Sequence, residues 1–200
     1  MEFGRLSLDD FAAQLASAEP APGGGAAAAL VLRLAASLLA MVCRHTIGPP
    51  KYAAVEARMQ SILAEADALA VRAGELMDDD AVAYAGVAAA FKLSRESPDR
   101  AGALDLACRQ ATDVPLQVIR AAARVAQLAA EAHRDANQTL RSDARAALLA
   151  AQAAAEMSVG NVDANRPYIA DQAWSARATE EARTLLASIA SLRDHLTTNN

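Results

Sequence analysis

Along nearly the whole chain, apolar residues recur in steps of three and four. No stretch alternates apolar with polar as a half-buried strand requires. The clearest stripe runs Val55, Met59, Ile62, Ala66, Leu69, Ala73 and Leu76, then Val87 and Phe91, and predicts a proline-free helix from Lys51 to Leu93. Ser7, with Asp10 three residues on, resembles a capping box and predicts a short helix to Ala16. A Pro-Gly stretch follows, then an apolar helix from Gly25 to Thr46 that Gly48-Pro49-Pro50 stops. Ser97-Pro98-Asp99 supplies a cap and a first-turn proline for the next helix. Pro115 predicts a kink or a break there, with Asp113 a candidate new cap, and the helix resumes through Ala132. Residues 135–139 read as a turn. A helix from Leu140 to Ser158 follows, with Gly160-Asn161 near its end and Pro167 closing or kinking the segment. Leu185, Ile189, Leu192 and Leu196 mark the face of a final helix. With no repeat and no linker, the pattern predicts one all-α domain over residues 1–200, a bundle of long Ala-rich helices. Small side chains let such helices approach closely in a bundle or a dimer interface.

Composition sharpens this picture. The chain of 200 residues is 54% hydrophobic but only 4% aromatic, so much of its apolar content is alanine, the best helix former. A net charge of -5 argues against nucleic acid as a partner. Cys43 and Cys108 form no CxxC pair and read as buried thiols of a reducing cytoplasm. The N-terminus is acidic soon after Met1 and does not read as a signal peptide, which again points to the cytoplasm. Ala26 to Ile47 approaches the length of a membrane span. Arg33 within it and Arg44-His45 near its end favour a buried bundle helix, with no membrane partner.

Three groups of residues carry candidate chemistry. Gly23-Gly24-Gly25 opens a helix whose free N–H groups and positive dipole end suit an anion or a carbonyl. No Lys follows as a Walker loop demands, and prolines rather than a strand precede it, so both nucleotide readings are weak. A tight turn that lets two helices cross fits the same residues equally well. In the second group, Asp78-Asp79-Asp80, a step of four from Leu76 lands on Asp80 and another on Tyr84. Asp80 is thereby set on the core-facing stripe, where burial raises a carboxyl pKa and makes a proton donor. A buried ion pair with an arginine is the structural alternative. The third group is polar. Asn137, Thr139, Ser142 and Asp143 surround a turn and helix start, where capping explains at least one of them. Asn161 and Asn165, one helical turn apart, suit a polar heterocycle or a helix cap. His45, His133 and His195 make no metal spacing with one another, so no metal is expected.

Taken in order, these motifs resemble the methenyltetrahydrofolate cyclohydrolase and formiminotetrahydrofolate cyclodeaminase family. The likeness begins at Leu6-Ser7-Leu8-Asp9-Asp10-Phe11 and continues through Pro20-Ala21-Pro22-Gly23-Gly24-Gly25-Ala26, Met41-Val42, Thr46-Ile47-Gly48, Lys51-Tyr52 and Val55-Glu56. It then takes in Asp79 to Tyr84, Thr112 to Leu116, Ser142-Asp143, and Gly160-Asn161-Val162 with Asn165. The resemblance implies an all-α homodimer that binds a tetrahydrofolate derivative and needs no cofactor beyond that substrate. It also implies that Asp80 stands where the family has its proton donor. Gly23, Gly24, Gly25, Lys51, Tyr84, Asn137, Ser142, Asp143 and Asn161 are the residues expected to hold the ligand. There are departures: at Ala136 to Asp143 a glycine and an asparagine of the family turn are lost, and Arg141 replaces a usually apolar residue. The expected reaction is hydrolysis of 5,10-methenyltetrahydrofolate to 10-formyltetrahydrofolate, since no formiminotransferase domain is present in the sequence to supply the other substrate. Formiminotetrahydrofolate cyclodeaminase is the alternative. A diverged member acting on a non-folate substrate, or a non-catalytic ligand-binding dimer, is the third reading.

Overall fold

The computed structural model describes residues 2–198; the outer ends of the expected 1–200 domain, Met1, Asn199 and Asn200, lie outside the described residues. Six α-helices follow one another: α1 Leu8–Leu15, α2 Gly24–Arg44, α3 Glu56–Phe91, α4 Arg100–Asp135, α5 Arg141–Asn165 and α6 Gln172–Thr198. No strand occurs among the described residues. Short 3-10 turns at Phe3–Arg5, Pro50–Tyr52, Gln138–Leu140 and Arg166–Tyr168 fill the connections. Ser7 caps α1 as its spacing predicts: its hydroxyl accepts the Asp10 N–H at 3.1 Å and donates to the Asp10 carboxylate at 2.6 Å.

Helices α2 to α5 form an up-down-up-down bundle, with α2 against α3 and α5, and α4 against the same two. Helix α6 covers the α4–α5 face. Alanines make the close approach possible: Ala26, Ala28, Ala29, Ala35 and Ala36 of α2 and Ala147, Ala151, Ala154 and Ala155 of α5 are wholly buried. Larger side chains fill the rest, among them Leu32, Leu39, Met59, Ile62, Leu76, Ile119, Leu128 and Leu148. Each buried Leu or Ile contributes roughly 1.5–3 kcal/mol over leaving it in water. Helix α2 is long and apolar enough to cross a bilayer by length and composition, yet the bundle packs around it. Its Arg33 donates to the Gly4 carbonyl at 2.5 Å. Ion pairs tie the helices at their edges: Arg44 to Asp67, Arg124 to Glu65, Arg58 to Glu131 and Arg120 to Glu181. These pairs are part-exposed, so each adds at most about 1 kcal/mol and mainly fixes register.

Several expected boundaries move. The long helix expected from Lys51 begins at Glu56, behind the 3-10 turn Pro50–Tyr52. Pro115 neither breaks α4 nor starts a new helix at Asp113, because α4 runs through it from Arg100 to Asp135. The proline withholds one N–H from the ladder, while Val114, Pro115, Leu116, Val118 and Ile119 are all buried around it. Packing of that turn outweighs the missing bond and the ring clash, together about 3 kcal/mol. Likewise α5 does not end near Ser158 but continues through Gly160-Asn161 to Asn165. Buried Val162 holds that last stretch in place, and a single glycine costs a helix only about 1 kcal/mol.

Candidate functional site

The three consecutive aspartates of α3 face three different partners. Asp78 accepts the main-chain N–H of Phe3 at 2.6 Å and so holds the N-terminal turn. Asp79 pairs with Arg72 at 2.9 Å. Asp80 turns toward α2 and accepts the N–H of Ala26 at 3.0 Å. No arginine pairs with Asp80 among the described residues, so the ion-pair alternative does not describe it. The apolar stripe puts it there: Met59, Ile62, Ala66, Ala73 and Leu76 are buried on the same face. Beyond Asp80 the helix emerges from the bundle, and Tyr84 is 48% exposed.

Asp80 takes the place of a cap for α2. The N-cap residue Gly23 has no side chain to serve, and the orphan N–H of Ala26 is satisfied from the neighbouring helix instead. Gly25 makes this contact possible, because a methyl group at position 25 would overlap the Asp80 carboxylate. Gly23 and Gly24 are different. A Cβ on either would meet nothing nearby, so they border open space beside the carboxylate. Burial pushes the Asp80 carboxyl up from its ordinary range, and the Ala26 N–H opposes that shift without cancelling it.

The other expected ligand-holding residues divide between the two ends of the bundle. Asn137 lies beside the far end of α2, where its N–H donates to the Thr46 hydroxyl at 3.0 Å. Its side-chain oxygen accepts the Tyr52 hydroxyl at 2.7 Å, the Thr139 N–H at 3.1 Å and the Thr139 hydroxyl at 2.9 Å. Capping therefore accounts for Asn137. Lys51 is at this end too, exposed, with its ammonium 4.7 Å from the centre of the Tyr52 ring. Ser142 and Asp143 follow in the first turn of α5 and cap nothing there. Helix α2 spans about 30 Å from Gly24 to Arg44, so this cluster and Asp80 lie that far apart in the chain. Asn161 lies toward the same end of the bundle as Asp80. The run from Arg44 back to Gly25 on α2 nearly equals the run from Arg141 forward to Asn161 on α5, and the Asn137–Thr46 contact puts the end of α2 beside the start of α5. Asn161 thus stands at about the level of Gly25. Asn165 is spent as a cap, donating to the Asn161 carbonyl at 3.1 Å.

Sequence reasoning missed the Ala26 N–H as the partner of Asp80, and Thr46 and Tyr52 as the anchors of Asn137. The signal for the first was present: an acid on an apolar stripe and a glycine at a helix mouth are complementary shapes. For the other two no local signal exists, since their partner lies 85 or more residues away in sequence.

Comparison with known proteins adds to this geometry. A profile of the formiminotransferase-cyclodeaminase family matches residues 7–184. The chain belongs to that family. Within the formiminotransferase-cyclodeaminase family, the methenyltetrahydrofolate cyclohydrolase of Methylorubrum extorquens is 33% identical over 197 residues, covering 96% of this chain and 95% of the relative. The formimidoyltransferase-cyclodeaminase of Sus scrofa is 29% identical over 183 residues, and there the chain spans only 34% of the relative's length. The solved structure of a Thermotoga maritima formiminotetrahydrofolate cyclodeaminase superposes with a TM-score of 0.90 at 28% identity, over 97% of this chain and 95% of that one. Folate one-carbon chemistry of the cyclohydrolase and cyclodeaminase kind is thus the province of this chain's relatives.

Proposed function

We propose that the protein hydrolyses 5,10-methenyltetrahydrofolate to 10-formyltetrahydrofolate in the cytoplasm, with Asp80 as the proton-transfer group and no cofactor beyond the folate. The observation that carries this reading is Asp80 itself. It is a half-buried carboxyl held by a single main-chain N–H, with its pKa raised, at the edge of the open space beside Gly23 and Gly24. Water adds to the amidinium carbon of the methenyl ring, and the Asp80 carboxylate takes one of its protons. The tetrahedral carbon then expels a ring nitrogen, which receives that proton back from the carboxyl, while the carbinol hydroxyl gives up its own proton to solvent and becomes the formyl C=O; one proton is released overall because the methenyl ring starts as a cation. One carboxyl serves both steps because its raised pKa lies closer to working pH. Near-end-to-end likeness to a cyclohydrolase supports the choice of reaction.

The solved cyclodeaminase favours a second reading, in which the folate nitrogen attacks a formimino carbon and ammonia leaves. Asp80 would protonate the departing nitrogen there too. The deciding assay offers 5,10-methenyltetrahydrofolate, follows the loss of its near-ultraviolet absorbance and uses Asp80→Asn as control. Catalysed loss that the variant abolishes supports the proposal. Undiminished turnover in a folded variant removes Asp80 from the chemistry. No catalysed loss, with ammonia released from formiminotetrahydrofolate, selects the second reading.

The proposal includes a homodimer. Leu30, Val31, Leu34, Leu38 and Met41 leave an apolar stripe of α2 partly uncovered, with Leu34 51% exposed. A copy of α2 packed antiparallel on this stripe would bring its Lys51 and Asn137 end to the Gly25 and Asp80 end of the first. The two halves of the expected ligand set would then meet around one folate. Sedimentation of the purified protein tests it, and a monomer that turns over substrate at full rate would remove the dimer from the account.

A further inference from the structure

The far end of the bundle holds a cavity that Asp80 does not line. It measures about 470 Å³ and lies where the end of α4, the start of α5 and the end of α6 converge. His133, Arg134, Gln138, Arg141 and His195 supply its polar lining, Leu192 and Leu196 part of its apolar wall, and no acidic side chain among the described residues lines it.

Among the described residues the charges there are only partly balanced. Arg134 is paired with Asp135 at 2.8 Å. Arg141 has no carboxylate within 4 Å among the described residues, and neither does Arg145 one helical turn later. Both have a buried Nε with no hydrogen-bond acceptor. Stripping water from a guanidinium without supplying a counter-charge is costly. Arg141 is also held in place. His133, only 4% exposed, meets the Arg141 carbonyl through Nδ1 at 3.0 Å. A carbonyl only accepts, so Nδ1 carries a proton, and Nε2 faces Arg141 Nη2 at 3.4 Å. His133 thus clamps Arg141 at both its main chain and its guanidinium, a pre-organised fork for an oxyanion.

We infer that this cavity binds a small polyanion, a phosphorylated or polycarboxylate molecule, through Arg141 positioned by His133. The volume is that of a small-molecule site, and the leucines leave room for an apolar portion of the ligand. The inference does not rest on Asp80, which lies about 30 Å from the cavity along the bundle of one chain.

The test is thermal unfolding of the whole chain titrated with pyrophosphate in one arm and citrate in the other, at constant ionic strength. Wild type and Asp80→Asn are both expected to show a saturable rise in Tm with at least one probe, and the arm that responds at lower concentration identifies the oxyanion class. Arg141→Met is expected to lose the rise while keeping its helical circular dichroism, and His133→Asn to need about tenfold more probe. An equal rise in Arg141→Met, or no saturable rise in wild type with either probe, overturns the inference. Should Arg141→Met not fold, Arg141→Lys replaces it: a point charge without the planar fork is expected to weaken binding at least tenfold.

Discussion

Gly25 has no side chain at the place where Asp80 has its carboxylate, and the contact between α2 and α3 is built on that complementarity. Gly25→Ala should therefore push the carboxylate off the Ala26 N–H while leaving the bundle formed. A displacement of this size costs about a hundredfold in turnover when the group is catalytic. Rates with 5,10-methenyltetrahydrofolate and a circular dichroism spectrum check this together. The same substitution at Gly23, where a Cβ meets nothing, is expected to spare the Asp80 contact.

Asp80→Asn separates chemistry from stability. Loss of the proton-transfer group is expected to lower turnover by about 10²–10⁴. Stability moves the other way. In the unfolded chain Asp80 ionises near 3.8, and folding raises that value through burial. Between the two values the native state holds a proton that the unfolded chain has released, so stability falls as pH rises through the window and stays lower above it. The variant does not titrate, and its amide oxygen still accepts the Ala26 N–H. Its Tm should exceed that of wild type at pH 7, with the advantage shrinking as pH is lowered toward the unfolded value. Melting curves across that range provide the measurement.

Asn137 joins the α4–α5 turn to the segment after α2 through its contacts with Thr46, Tyr52 and Thr139. Asn137→Ala leaves the part-buried Tyr52 hydroxyl without its acceptor and should cost about 1–3 kcal/mol in urea unfolding. Tyr52→Phe removes the donor instead and is expected to cost less, about 1 kcal/mol.

Both thiols should resist modification. Cys43 is wholly buried and burial pushes it up to about 11; Cys108 is raised for the same reason. A disulfide reagent at neutral pH is expected to find neither thiol in the native protein and both in denaturant.

The helical architecture was legible because stripes of Met59, Ile62, Ala66, Ala73 and Leu76 obey one period, and the phase of that stripe was enough to turn Asp80 inward. Helix ends were less so. Pro115 and Gly160 are breakers by local preference, but neighbours on other helices decide whether a turn is kept. The division of the polar residues between two ends of α2 could not be read at all: spacing along the chain orders Asp80, Asn137 and Asn161, whereas their separation in space is set by helix length and direction of travel.

Asp78, Asp79 and Asp80 each answer to a different partner: the N-terminal turn, Arg72 of the same helix, and the mouth of α2. Adjacent residues on a helix differ by about 100° and 1.5 Å. Sliding α3 by a single position would present every one of these carboxylates to the wrong neighbour. The triplet works as a key cut for one lock, indexing the rotation of a long alanine-rich rod so that one acid arrives at the mouth of α2.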